Sequence, residues 1–113
     1  IMRQIEQQMN NAIKNKIAWS KDNTLTTFDN TLENCFIYLH GNHIATYNYA
    51  NKKLQLYSGG GWFTNTTKSR LNALINEFTD PVQNGIFQKN FNWFLRAFGA
   101  VVPFSEGITI PIV

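Results

Sequence analysis

Residues 34–57 constrain the fold more than any other part of the chain. Between residues 34 and 40 the pattern alternates strictly: Cys35, Ile37 and Leu39 point one way, and Phe36, Tyr38 and His40 the other. A period of two is the mark of a strand with two different faces. Gly41-Asn42 is a two-residue turn signal, so residues 43–49 return as a second strand. Asn51-Lys52 turns the chain again, and residues 53–57 form a third strand with Leu54 and Leu56 on one face. Three strands joined by tight turns make an antiparallel meander. The chain must then supply something to cover one of its faces.

Two segments have helical periodicity and fit that need. Ile1, Ile5, Met9, Ala12 and Ile13 recur at three- and four-residue steps, and Leu71, Leu74, Ile75 and Phe78 form a second apolar stripe. Thr64, Asn65, Thr66 and Thr67 are N-cap candidates for the second helix, and Thr79-Asp80-Pro81 ends it. Between the meander and this helix, Ser58-Gly59-Gly60-Gly61 breaks the sheet. Residues 17–30 carry turn signals around a strand-like Thr24-Leu25-Thr26-Thr27-Phe28. Further on, residues 86–88 and 92–98 read as a hairpin around Lys89-Asn90. The tail, residues 108–113, reads as an edge strand because Pro111 cannot serve a central one. With 113 residues and no linker or repeat, residues 1–113 form a single α+β domain. Its expected architecture is an antiparallel β-meander plus a C-terminal hairpin, with two helices packed on one face.

Composition narrows the function classes. The apolar share of 43% supports a packed core and excludes a disordered chain. A net charge of +3 allows an anionic partner, but is far from a histone-like excess. One cysteine, Cys35, excludes an internal disulfide and fits a reducing compartment. No apolar run is long enough to span a membrane. No apolar stretch follows Arg3, so the N-terminus does not read as a secretion signal.

Chemistry-bearing groups are sparse. The carboxylates are scattered, with no spacing that suggests acid–base work. His40 and His43 flank a turn without a third metal ligand nearby. Cys35 and His40 lie on opposite sides of a strand, so they do not make a nucleophile pair. The sequence therefore supplies no catalytic residues, no metal site and no cofactor.

What stands out is the stretch from Gly59 to Arg70. A glycine turn runs into a helix whose first N–H groups and dipole attract anions. Thr66, Thr67 and Ser69 add hydroxyls there, Lys68 and Arg70 add charge, and Arg70 can grip a phosphate through two parallel bonds. The glycine spacing is not that of a nucleotide P-loop. A capped helix bearing solvated cations satisfies the same pattern. Trp62 and Phe63 beside the turn, and Trp93 with Phe91 and Phe94 near Lys89 and Arg96, suit stacking on bases and suit an ordinary core equally. Tyr47, Tyr49 and Tyr57 are candidates for a tyrosine-rich sheet face.

Three segments in order carry a resemblance. They are Tyr38-Leu39-His40-Gly41-Asn42-His43-Ile44-Ala45, then Gly61-Trp62-Phe63-Thr64-Asn65-Thr66-Thr67-Lys68-Ser69-Arg70-Leu71-Asn72-Ala73-Leu74, then Ile86-Phe87-Gln88-Lys89 with Trp93. Over residues 8–97 the chain resembles a family of small proteins encoded by tailed bacteriophages. It departs from that pattern at Asn90-Phe91, where a glycine is expected, and in the tail after Phe98. The resemblance implies a phage or prophage origin and action in the host cytoplasm, with a virion role left open; it implies no catalytic residues.

Three functions are consistent with these features. The first is a non-enzymatic accessory protein that binds nucleic acid through the basic and aromatic surface around residues 64–70. The second is a counter-defence protein that sequesters a small phosphate-bearing signalling nucleotide, for which a pocket shared between protomers in a homo-oligomer is a natural enclosure. The third is a protein–protein module, either acting on a host defence enzyme or placed in the virion, using an exposed sheet edge.

Overall fold

The computed structural model describes residues 2–113. Helix α1 (Gln4–Lys14) leads into five strands: β1 (Trp19–Lys21), β2 (Thr24–Phe28), β3 (Asn34–Leu39), β4 (Asn42–Asn48) and β5 (Lys53–Leu56). Helix α2 (Asn65–Phe78) follows, then β6 (Gly85–Lys89), β7 (Asn92–Ala97), β8 (Ala100–Pro103) and β9 (Ile108–Pro111). The strands form two antiparallel sheets, one of order β1-β2-β3-β4-β5-β9 and one of order β6-β7-β8. The fold is α+β, as expected, but its sheets are more extensive. The ambiguous residues 17–30 become a hairpin that widens the meander, and an unexpected strand, β8, joins the C-terminal hairpin. The tail does close the large sheet as an edge strand, where Pro111 is tolerated. Ile1, assigned above to the apolar face of α1, lies outside the described residues.

The core forms where both helices cover the inward side of the large sheet. Met9 and Ile13 of α1 and Leu71, Leu74 and Ile75 of α2 pack with Cys35, Ile37, Leu54 and Leu56, all of them fully buried. Ile86, Trp93 and Leu95 of the small sheet join the same core. The large sheet's other side carries no helix, so its alternate residues remain partly exposed.

One irregularity decides what that open face displays. Ile37 pairs with Ala45, but Tyr38 pairs with His43, so Ile44 is an extra residue in β4. This β-bulge points Ile44 and Ala45 both inward, where they are buried. Strict alternation from Ala45 would have sent His43 into the core. The bulge instead delivers it to the open face among Phe36, Tyr38 and Tyr57, with ring centroids 5.9, 5.4 and 4.6 Å away.

The tyrosine-rich face expected above therefore needs correction. Tyr47 lies inward, edge-on to Phe78 at 4.8 Å, because it pairs with the buried Cys35. The Tyr49 hydroxyl donates to the Ile13 carbonyl of α1. Of the three, Tyr57 alone reaches the open face.

Cys35 sits fully inside. Burial pushes its thiol up to about 12 from 9.0, because a thiolate has no hydration there. Native protein should accordingly leave Cys35 unmodified by a thiol reagent at pH 8, with one equivalent reacting in denaturant. The same shift means stability is intact below pH 9 and falls as pH rises above it, since the unfolded thiol ionises first. Rapid labelling of the native chain would show that β3 is not covered by the helices.

Candidate ligand cleft at the start of the second helix

The glycine turn is a compact device. The Ser58 N–H donates to the Glu106 carboxylate at 2.8 Å, and the Gly61 N–H donates back to the Ser58 hydroxyl at 2.8 Å. Gly59 has φ +78 and lies so close to β4 that a Cβ would stand 3.1 Å from Asn42 Cβ. Only glycine allows that approach and that dihedral together. The turn presents the next two residues in different directions. Trp62, 58% exposed, borders a cleft with Leu39, His40, Ile44, Thr64 and Thr66. Phe63 instead meets Trp93 edge-on at 5.0 Å. Of the three aromatic contacts expected, Trp62 alone borders the cleft, whereas Phe63 packs on Trp93, which lies in the core.

The cleft holds about 330 Å³ and lies between the β3–β4 turn and the first turn of α2. Its floor is apolar, from Leu39 and Ile44, and hydroxyls line one wall. Thr64 is the N-cap, and its side chain accepts the Thr67 N–H at 3.1 Å. That leaves the N–H groups of Asn65 and Thr66 without a partner among the described residues. The β1–β2 hairpin is tied to the cleft's rim by the His40 N–H, which donates to the Asn23 carbonyl at 2.8 Å. This places Lys21, exposed on β1, at the same end of the sheet.

The remaining residues proposed for anion binding divide sharply. Thr66 lines the cleft. Thr67 also lines it, but is 2% exposed and its hydroxyl lies 3.0 Å from that of Thr64. Lys68 is half-buried. Ser69 and Arg70 leave the site altogether. Ser69 donates to Glu6 at 2.6 Å, and Arg70 pairs with the same Glu6 oxygen at 2.8 Å while its Nε donates to Thr24 at 3.2 Å. Arg70 is 5% exposed and Glu6 2%. An arginine so enclosed cannot grip a phosphate; it binds α1, α2 and β2 together. Its helical spacing was the available signal, because Thr67, Arg70, Leu71, Leu74, Ile75 and Phe78 make one continuous buried stripe.

Sequence reading missed the open-face cluster of Phe36, Tyr38, His43 and Tyr57, which depends on the bulge. Burial lowers the His43 pKa below 6.5, partly offset by a backbone hydrogen bond at Ala45. The ring is therefore neutral at physiological pH, with a nitrogen 2.8 Å from the Thr46 hydroxyl.

Sheets, helices and cleft together define a small α+β protein with a ligand-sized cavity at one end of its main sheet. The family model of the Kyanoviridae Gp96 protein matches residues 2–111, and the chain belongs to that family of phage proteins. The match runs well past residue 97 and takes in the C-terminal tail. No curated protein and no solved structure matches the chain. Among the described residues no helix is long and apolar enough to cross a membrane. The family name carries no activity with it, so function rests on the geometry.

Proposed function

We propose that this phage protein is a non-enzymatic binding protein that sequesters a small nucleotide in the cleft beside Trp62, acting in the host cytoplasm. The observation that carries the reading is the exposed indole of Trp62 standing beside an apolar cleft at the open start of α2. A base stacks on Trp62 over Leu39 and Ile44. A phosphate meets the free N–H groups of Asn65 and Thr66 and the Thr66 hydroxyl, with Lys21 and Lys68 supplying longer-range attraction. The cleft lies at the lower end of the usual range for ligand pockets, which favours a small ligand over a duplex. The withdrawal of Arg70 points the same way, since a phosphate-tracking surface needs several free cations.

Calorimetry against mononucleotides, cyclic nucleotides and cyclic ADP-ribose isomers tests this. Trp62→Ala should weaken binding about 10-fold or more, the usual worth of one stacked base, while leaving the melting temperature unchanged. The ligand should be recovered intact by chromatography. A flat trace across the panel removes the reading, and appearance of a product removes its non-enzymatic part.

A second reading is favoured by the open-face aromatics. Phe36, Tyr38 and Tyr57 lie just around the rim from the cleft and could carry a single strand of nucleic acid by stacking. Binding that tightens with oligonucleotide length and weakens steeply with salt would select it over the small-ligand reading.

A further inference from the structure

The β6–β7 hairpin tip holds a residue that the protomer itself does not use. Asn90 and Phe91 both have positive φ, 52 and 65. Asparagine tolerates that region, whereas phenylalanine is strained there. Phe91 is also 94% exposed, so the protomer gains no packing in return. Beside it on the same sheet lies a depression of about 380 Å³ lined by Phe63, Asn92, Trp93, Phe94, Pro103 and Phe104. A projecting phenyl ring and an aromatic-walled hollow are therefore neighbours on one surface.

We propose that this surface is a two-fold interface between two copies of the chain, with Phe91 of each seated in the hollow of the other. Adjacent knob and hollow suit a two-fold axis passing between them, which brings each to its complement. Each insertion buries roughly 200 Å² of phenyl surface and a similar area of hollow, so two give roughly 800 Å². Exposed Val102, on the same face of β8 as Phe104, extends the contact toward the roughly 1,200 Å² that a specific dimer needs. Charge does not oppose it, because Arg96 is the sole ionic residue between positions 90 and 105 in a chain of net charge +3. Pairing along the β8 edge is a poorer alternative. The Phe104 N–H bonds to Trp93 of β7, so alternation turns Pro103, which has no N–H, toward the free edge.

Sedimentation equilibrium on the full chain, Phe91→Gly and a photo-crosslinking residue at position 91 test this interface. Wild type should reach twice the 13.0 kDa chain mass at about 100 μM protomer. Phe91→Gly should weaken dimerisation about 100-fold or more, since two anchoring rings are lost. It should also melt about 4 °C higher than wild type at concentrations where both are monomers, because glycine relieves the turn. At high concentration the order should reverse. The crosslink should map near Phe63 or Phe104 of a second copy. A wild-type chain monomeric at about 100 μM, a Phe91→Gly dimer of unchanged affinity, or a crosslink only to a different protein would each overturn the proposal.

Discussion

Arg70→Ala should cost the folded state about 3–5 kcal/mol, the usual result of stripping one partner from a buried ion pair. Glu6, 2% exposed in the wild-type chain, would then lose its cation and keep only the Ser69 hydroxyl and the Arg3 N–H, which donates to its other oxygen at 3.2 Å. The loss is a large part of the 5–15 kcal/mol that holds most domains together. Because the pair ties α1 to α2 and β2, the whole domain should lose stability in one cooperative transition rather than one helix fraying. The double variant Glu6→Leu with Arg70→Met should recover much of the loss, since apolar replacement removes both desolvation costs. Urea denaturation of the three proteins measures all of this. A cost under about 1 kcal/mol for Arg70→Ala would place the arginine in solvent, and would return it to the candidate anion site.

The second large effect belongs to Trp93. Trp93→Ala should destabilise by about 3–5 kcal/mol, as for other buried aromatics. Its ring is 6% exposed and meets Phe63 and Phe104 edge-on at 5.0 and 5.5 Å. It also holds the small sheet against the common core. Trp62→Ala, directly after Gly61 but 58% exposed, should by contrast fall within about 0.5 kcal/mol of wild type. Denaturation curves for the two variants give the comparison directly. Equal costs would mean that the turn does not separate Trp62 from the core.

These two variants mark where sequence reading succeeds and where it stops. The alternation of Cys35, Ile37 and Leu39 is legible because one face of β3 is buried and the other is not. The stripe of α2 is legible for the same reason at helical spacing. Tertiary partners are not legible. Lys68 and Arg70 look alike beside a helix start, and Glu6, 64 residues from Arg70, decides which of them is available. Thr64 was one of four cap candidates, and only the backbone geometry selects it. The bulge at Ile44 hides in the run His43-Ile44-Ala45, where alternation and its interruption give equally plausible strings. Tyr47, Tyr49 and Tyr57 share a residue type and an odd number, yet a turn and a change of strand place Tyr57 on the other side of the sheet.

The bulge also bears on how this gene can vary. In a regular strand, losing one residue and gaining another nearby restores the pattern. In β4 the core set Ile44, Ala45 and Tyr47 and the open-face set His43 and Thr46 are assigned by a single supernumerary position. Deleting Ile44 would restore regular pairing with His43 still opposite Tyr38 and Ala45 still opposite Ile37, so no other residue would change face and the core would lose one buried side chain. Related chains one residue shorter here should therefore keep both faces and lose the apolar floor that Ile44 gives the cleft. In this strand the extra position adds a side chain without moving its neighbours.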